Sequence, residues 1–213
     1  MKNKAWIACL LGIFLILSAC GTKEASTAKK DTNSADVSKE KTAKSEETAT
    51  AEEEKSPKEL FTGMYNDLVS NITDDQLSLE SKTSDFIAAH MDWFPAKNPA
   101  EIKAVKKNTD NSISTKHLNK NIAPYNGKLV TFQGNVVSIE EVNDDNGDVA
   151  LSYIHLMDDD MQSHVFIYKK GTDILEDDTI RFWGVPVGPW SFENVSGGST
   201  NNIFYIASHV EKL

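Results

Sequence analysis

The chain has 213 residues, 39% of them hydrophobic, and a formal net charge of −10 at pH 7. This hydrophobic fraction is typical of a globular domain with one core rather than of a disordered chain. A protein that binds nucleic acid needs a basic face that displaces counterions from phosphates, whereas the acidic excess here falls after residue 56. Charge therefore argues against nucleic acid as a partner.

The N-terminus has the pattern of an export signal. Two lysines precede an apolar run, residues 5–17, that is shorter than the roughly 20 residues needed to cross a bilayer. The run ends in Leu17-Ser18-Ala19-Cys20, which resembles the lipobox of bacterial lipoproteins. The resemblance implies a signal peptide over 1–19, diacylation of Cys20 and a lipid anchor on the outer, extracytoplasmic face of the cell membrane. A plain secretory signal with a chance cysteine is the alternative.

Residues 20–56 are predicted to form a flexible tether behind the lipidated Cys20. The segment consists almost wholly of Lys, Glu, Ala, Ser, Thr and Asp, and Val37 is its only large aliphatic residue. Such a composition buries too little apolar surface to offset the entropy of ordering the chain. A helix of Ala, Glu and Lys is the alternative, although the many Ser and Thr residues weaken it.

Residues 57–124 are predicted to be helical. Ser56-Pro57-Lys58-Glu59 combines an N-cap serine, a proline at the first helical position and a glutamate three residues after the cap. A second helix is predicted over 84–93, and a third begins at the cap sequence Asn98-Pro99-Ala100-Glu101 and runs to about Lys107. The first helix has an apolar stripe made of Leu60, Phe61, Met64, Leu68, Val69 and Ile72. The stripes indicate a packed core.

From Gly127 onward the hydrophobic period becomes that of strands. Five are predicted, with a bulge or bend at Gly134 in the first, and they cover 128–141, 149–157, 163–169, 179–187 and 203–210. The expected fold class is therefore α+β, with a helical N-terminal region followed by five strands.

Three stretches of the strand region carry a family resemblance. They are Tyr125-Asn126-Gly127-Lys128-Leu129-Val130, Gly134-Asn135-Val136-Val137 and Asp178-Thr179-Ile180-Arg181-Phe182-Trp183-Gly184. They resemble the OB-fold, tRNA anticodon-binding-like domains of exported lipoproteins from Gram-positive bacteria. The resemblance implies an OB-fold-like β-barrel over 125–213 and brings no catalytic residue with it. An OB-fold usually binds ligands across strands 2 and 3 and between the loops joining strands 1–2 and 4–5.

The candidate ligand-binding residues follow from the register expected for the hairpin of strands 2 and 3. With Asp159 and Asp160 as the turn, one face carries five rings, those of Tyr153, His155, His164, Phe166 and Tyr168. The opposite face carries Ile154, Leu156, Val165 and Ile167 and is expected to be the core. Exposed rings are able to stack on sugars, bases or an aromatic peptide side chain. The alternative is that the helical half packs over them.

No metal site, cofactor or catalytic site is predicted. His155 and His164 beside the acidic turn 158–160 offer only two well-motivated metal ligands. In the segment 144–155 the sixth position is Val149 rather than the glycine of a calcium loop, and the twelfth is His155 rather than glutamate. There is no Gly-x-Ser-x-Gly elbow. Neither cysteine is available as a nucleophile, because Cys9 leaves with the signal and Cys20 carries the lipid.

Together these patterns predict a membrane-anchored, non-enzymatic binding module outside the cytoplasm. Its expected partner is a cell-envelope glycan, a peptide or another exported protein. The alternative is a structural or assembly lipoprotein with no small-molecule site. Exposure of Tyr153, Phe166 and Tyr168 favours the first hypothesis, and burial of these rings favours the second.

Overall fold

The computed structural model describes residues 55–193 and 197–213. The predicted signal peptide, the lipidated Cys20 and all but the last two residues of the predicted tether lie outside the described residues. In the described part, no helix is both long enough and apolar enough to span a membrane.

The described helices precede the strands, and their bounds are α1 Pro57–Ile72, α2 Ser81–Ala89, α3 Pro99–Asn108 and α4 Thr115–Lys120. Both predicted capping boxes are present. Ser56 Oγ accepts from the N–H of Glu59, whose carboxylate accepts from the N–H of Ser56, and Asn98 and Glu101 pair in the same way. The predicted starts of α1 and α3 are therefore confirmed, whereas α2 begins three residues earlier than predicted and α4 was not predicted.

The buried stripe of α1 differs from the prediction at two positions. Leu60, predicted to face the core, is 59% exposed. Tyr65, which the prediction omitted, is fully buried, and its hydroxyl donates to the carbonyl oxygen of Phe94 at 2.8 Å. The stripe of α1 is thus centred on Tyr65 and Val69.

Five strands form one sheet that closes on itself, in the order β1-β2-β3-β5-β4. Their bounds are β1 Val130–Asn143, β2 Val149–Met157, β3 Ser163–Tyr168, β4 Thr179–Glu193 and β5 Ser199–Lys212. The β3–β5 pair is parallel, and the other four pairs are antiparallel. The predicted mixture of helices followed by a five-stranded sheet is therefore confirmed.

Strand β1 closes the sheet because it pairs with two partners. Its first part, up to Asn135, pairs with β4, and its second part, from Asn135 onward, pairs with β2. At the crossing, a Cβ on Gly134 would lie 2.1 Å from the carbonyl oxygen of Met157. Only glycine fits this close approach. The nearest register irregularity of the β1–β2 pair lies further on, between Val136 and Ser138, and a second lies between Val142 and Asn143.

Both faces of the sheet are buried over much of its area. One hydrophobic cluster lies inside the closed sheet and includes Val136, Ile154, Leu156, Phe166, Tyr168, Ile180, Phe182 and Tyr205. A second cluster joins the outer face to α1, α2 and α3 and includes Tyr65, Val69, Ile87, Val105, Val165, Ile167, Val185 and Phe204. Strand β3 lies between the two clusters, and all six of its residues are buried.

The register predicted for the β2–β3 hairpin is wrong by one residue. His155 lies opposite Val165 rather than His164, and Ile154 lies opposite Phe166. The reason is a loop of three residues instead of two: Met161 adopts the left-handed conformation, with φ of 58°, and Asp158 pairs with Gln162. A one-residue shift exchanges the faces of one strand relative to the other. The four aliphatic residues expected on one face are all buried, but Ile154 and Leu156 point inward while Val165 and Ile167 point toward the helices.

Candidate functional site

The five rings predicted to form one binding face lie on opposite faces of the sheet. His164, Phe166 and Tyr168 are on the inner face, where they are buried, while Tyr153 and His155 are on the outer face. The half-buried Tyr153 packs against the outer cluster, and His155 is buried beside Phe192. The proposed aromatic face therefore does not exist as a surface, although its two histidines each belong to a chain of polar contacts.

The first chain runs from the hairpin into the interior of the closed sheet. His164 is fully buried, its Nε2 lies 3.0 Å from Asp158 Oδ2, and its Nδ1 lies 2.9 Å from the hydroxyl of Tyr205. Its ring stacks on that of Phe132 with centroids 4.5 Å apart. Both ring nitrogens of His164 thus have partners inside the protein, and neither is free to bind a metal ion or a ligand.

The pKa values of Asp158, His164 and Tyr205 define the protonation state of this chain of hydrogen bonds. Burial lowers the pKa of His164 below its ordinary value despite the nearby Asp158 carboxylate, and burial raises that of Tyr205 well above its own. Burial also raises the pKa of Asp158, but hydrogen bonds from His164 and from the N–H of Gln162 outweigh it and lower the pKa overall. At neutral pH the Tyr205 hydroxyl therefore donates to Nδ1 of a neutral His164, whose Nε2–H donates to the ionised Asp158.

The second chain lies on the outer side of the same strands. His155 Nε2 is 2.6 Å from Ser163 Oγ, which is 2.6 Å from Asn202 Oδ1. The amide nitrogen of Asn202 donates to the carbonyl oxygens of Trp190 and Thr200, and this arrangement leaves Oδ1 as the acceptor. Ser163 therefore donates to Asn202 and accepts from His155.

This direction of hydrogen bonding is the opposite of the one that a serine hydrolase requires. A nucleophilic serine donates its proton to the histidine that acts as general base. Here the Ser163 proton points toward Asn202, and the His155 nitrogen that faces Ser163 is itself the donor. Burial and the neighbouring His164 also lower the pKa of His155, which stays neutral. The arrangement supports a structural role for Ser163 as a fixed bridge between β2 and β5.

A cleft of about 580 Å³ opens next to this second chain. Five side-chain amides line it, from Gln76, Asn119, Gln162, Asn201 and Asn202. The rest of the lining comes from the hydroxyl-bearing Thr115, Ser163 and Ser191 and from the rings of Pro189 and Trp190. No lining residue carries a formal charge, so we name this site the neutral cleft.

A second, larger cleft of about 670 Å³ borders the neutral cleft and shares Thr115 and Gln162 with it. Its lining includes Lys116, Arg181 and the three aspartates 158–160. We name it the charged cleft. Arg181 is hydrogen-bonded there to Gln133, and Lys116 lies 4.0 Å from Asp160. The strongly different charge of the two sites shows that the neutral lining is a local property rather than that of the whole surface.

Sequence reasoning missed the neutral cleft. Its residues come from the turn after α1, from α4, from the β2–β3 hairpin and from the two long strands β4 and β5. The one signal in the sequence was the polar pair Asn201-Asn202 directly before an apolar strand. Both residues belong to β5, which begins at Ser199 rather than at the predicted residue 203.

Metal ligands do not cluster in the described part of the chain. No group of three or more His, Cys, Asp or Glu side chains is placed there to hold a metal ion. The two histidines singled out in the sequence face different sides of the sheet, since His164 points inward and His155 outward.

Comparisons with known proteins add little. No protein-family model matches the chain, and no curated protein matches it. Among the solved structures that match is "OBody NL8 bound to hen egg-white lysozyme", which is 16% identical over 40% of this chain and 93% of that chain, with a TM-score of 0.26. We draw no argument from a similarity this weak.

Proposed function

We propose that the protein is a lipid-anchored, extracytoplasmic lipoprotein whose folded domain is a non-enzymatic binding module. Lys2, Lys4, the apolar run and the lipobox-like Leu17-Ser18-Ala19-Cys20 support the anchor and the location on the outer face of the cell membrane. The polar composition of 21–56 supports a tether that lets the domain stand away from the lipid. The proposed ligand is a component of the cell envelope or another exported protein.

We further propose that residues 125–213 form an OB-fold. The strand order β1-β2-β3-β5-β4, the closure through β1 and the parallel β3–β5 pair support this assignment. The long β1 that serves two neighbours is a further point of agreement. The fold suggests where ligands bind but does not identify one.

The observation that carries the binding hypothesis is the neutral cleft itself. A cleft of about 580 Å³ has room for a ligand of several rings or residues. Its base is held in place, because Ser163 and Asn202 are buried and linked by hydrogen bonds of known direction. A binding site is more effective when its polar groups need no rearrangement on binding. Nothing in the direction of these bonds prepares Ser163 for catalysis.

A photo-crosslinking experiment tests this function. p-Benzoylphenylalanine replaces the exposed Asn201 in the neutral cleft or, as a control, the exposed Asn143 at the far end of β1. After irradiation of living cells of the native host, we expect the protein with the crosslinker at position 201 to form a covalent adduct of higher mass than the protein alone. We expect no adduct from position 143. The absence of an adduct at position 201, with the protein correctly anchored, contradicts the binding function.

The structural or assembly role is the second candidate, and one observation favours it. Phe166 and Tyr168, expected on an exposed binding face, are buried inside the closed sheet. This burial removes the site first suggested by the sequence without touching the neutral cleft. An adduct at neither position, together with a phenotype on deletion of the whole protein, supports the structural role.

A further inference from the structure

We infer that the neutral cleft binds an uncharged oligosaccharide. This inference rests on the proposed binding function and adds the class of ligand to it. Four properties of the cleft carry it: its lack of charge, its amides, its ring surface and the small number of free backbone hydrogen-bonding groups beside it.

Charge is the first property. The protein has a net charge of −10 and 25% charged residues, yet none of the ten residues that line the cleft is charged. An anionic polymer needs a cation to offset the cost of removing its charges from water, and no cation is among the described residues that line this cleft. A cationic ligand needs carboxylates, and these lie in the charged cleft on the other side of Thr115 and Gln162. The neutral cleft therefore suits a ligand with no charge of its own.

Hydrogen-bonding capacity is the second property. A sugar hydroxyl donates one hydrogen bond and accepts others, and it is best matched by groups that both donate and accept. The side-chain amide is such a group, and five residues with amides line the cleft. The amide of the buried Asn202 is already hydrogen-bonded within the protein, so the other four have the hydrogen-bonding capacity for a ligand. Asn201 is exposed in the cleft, and Asn119 is tied to Gln162 by a hydrogen bond of 3.2 Å across the rim.

Ring surface is the third property. The apolar C–H faces of pyranose rings pack on aromatic side chains, and the indole of tryptophan offers the largest such surface. Trp190 lines the cleft beside Pro189. Its indole is held by contacts with Phe192 and Phe204, whose ring centroids lie 5.3 and 5.7 Å away. A supported ring beside several amides is a suitable arrangement for a sugar.

The backbone is the fourth property, and it disfavours a peptide ligand. Peptides often bind by adding a strand to a sheet edge, where free N–H and C=O groups are required. At the cleft, Pro189 has no N–H, and the carbonyl oxygens of Trp190 and Thr200 already accept from the amide of Asn202. Apart from Pro189 and Trp190, the described lining also has no apolar side chain that would form a pocket for an apolar residue.

Calorimetric titration of the full chain with defined probes tests the inference. The probes are uncharged tetrasaccharides of N-acetylglucosamine, glucose and mannose, together with the blocked, uncharged peptide acetyl-Ala-Ser-Ala-Ser-amide. The variant Asn201→Leu keeps the side-chain size at an exposed position but removes both hydrogen-bonding groups. Asn143→Leu is the matched control, since Asn143 is also an exposed strand residue and lies outside the cleft.

We expect at least one tetrasaccharide to bind, Asn201→Leu to weaken it about fivefold to tenfold, and Asn143→Leu to leave it unchanged. The inference is overturned if no tetrasaccharide binds, or if Asn201→Leu and the wild type bind equally well. Peptide binding that is sensitive to Asn201→Leu, without sugar binding, overturns the glycan ligand but leaves the binding function standing. Failure of every probe combined with no crosslink at position 201 contradicts both.

Discussion

Asp158 and His164 are six residues apart in the sequence and are joined by a hydrogen bond of 3.0 Å between Oδ2 and Nε2. Asp158 is at the end of the hairpin, and His164 points from β3 into the interior of the closed sheet. The other carboxylate oxygen of Asp158 accepts from the N–H groups of Asp160 and Gln162. One aspartate therefore stabilises both the three-residue loop and the buried imidazole. The conformation of the loop and the hydrogen bonding of the buried histidine thus depend on the same residue.

The buried neutral His164 predicts a loss of stability in mild acid. An unfolded histidine titrates near pH 6.5, whereas burial lowers the pKa of the folded one. The unfolded state therefore binds more protons as the pH falls below about 7, and the free energy of unfolding decreases toward pH 5.5. His155 and His209, whose pKa values burial also lowers, add to the same trend.

Urea unfolding at several pH values between 5.5 and 7.5 measures this slope. His164→Gln retains a side chain able to donate to Asp158 but does not titrate, and we expect it to reduce the slope by up to about 1.4 kcal/mol per pH unit. An unchanged slope in this variant shows that His164 does not contribute to the acid sensitivity.

Two glycines are expected to respond in opposite directions to alanine. Gly134→Ala places a Cβ 2.1 Å from the Met157 carbonyl oxygen and should destabilise by roughly 3 kcal/mol, because backbone must move at the strand crossing. Gly63, in the middle of α1, has nothing within 4 Å of the same position. Gly63→Ala should stabilise by about 0.5–1 kcal/mol through helix propensity. Denaturant unfolding gives both values, and a tolerated Gly134→Ala contradicts the crossing geometry.

Ser163→Ala should destabilise by about 1–3 kcal/mol. The change leaves a buried N–H of His155 and a buried oxygen of Asn202 without their partner. Ser191→Ala is the control, because Ser191 lines the same cleft but is exposed, and a change within about 0.5 kcal/mol is expected. Thermal unfolding compares the two variants. Equal effects would mean that the chain from His155 to Asn202 contributes nothing to stability.

Cys20→Ala should abolish lipid attachment and leave unprocessed or shed protein, because the thiol that would receive the diacylglyceryl group is gone. Cys9→Ala should retain it, since Cys9 lies within the predicted signal peptide. Metabolic labelling with a radioactive fatty acid measures both. Label that persists in Cys20→Ala contradicts the assignment of the lipidated residue.

The sequence by itself determined the local elements whose causes are local. Capping chemistry acts over a few residues and predicts the helix starts at Ser56 and Asn98. Hydrophobic period acts over a similar distance and predicts that five strands exist and that helices precede them. The ends of β4 and β5 were less predictable. The first residues of β5 are polar, and up to Asn201 they pair only with the last residues of β4.

Only the tertiary structure decided the hairpin register and, through it, which rings are buried. The turn gains its third residue because Met161 takes a left-handed conformation, which is uncommon for such a side chain. Nothing in the local pattern marks it, because the Asp158 contacts that stabilise the loop include a histidine inside the closed sheet. The neutral cleft arises in the same way: Gln76, Asn119 and Asn201 are distant in sequence and meet only because closure of the sheet positions α4 and the β4–β5 strands beside the hairpin.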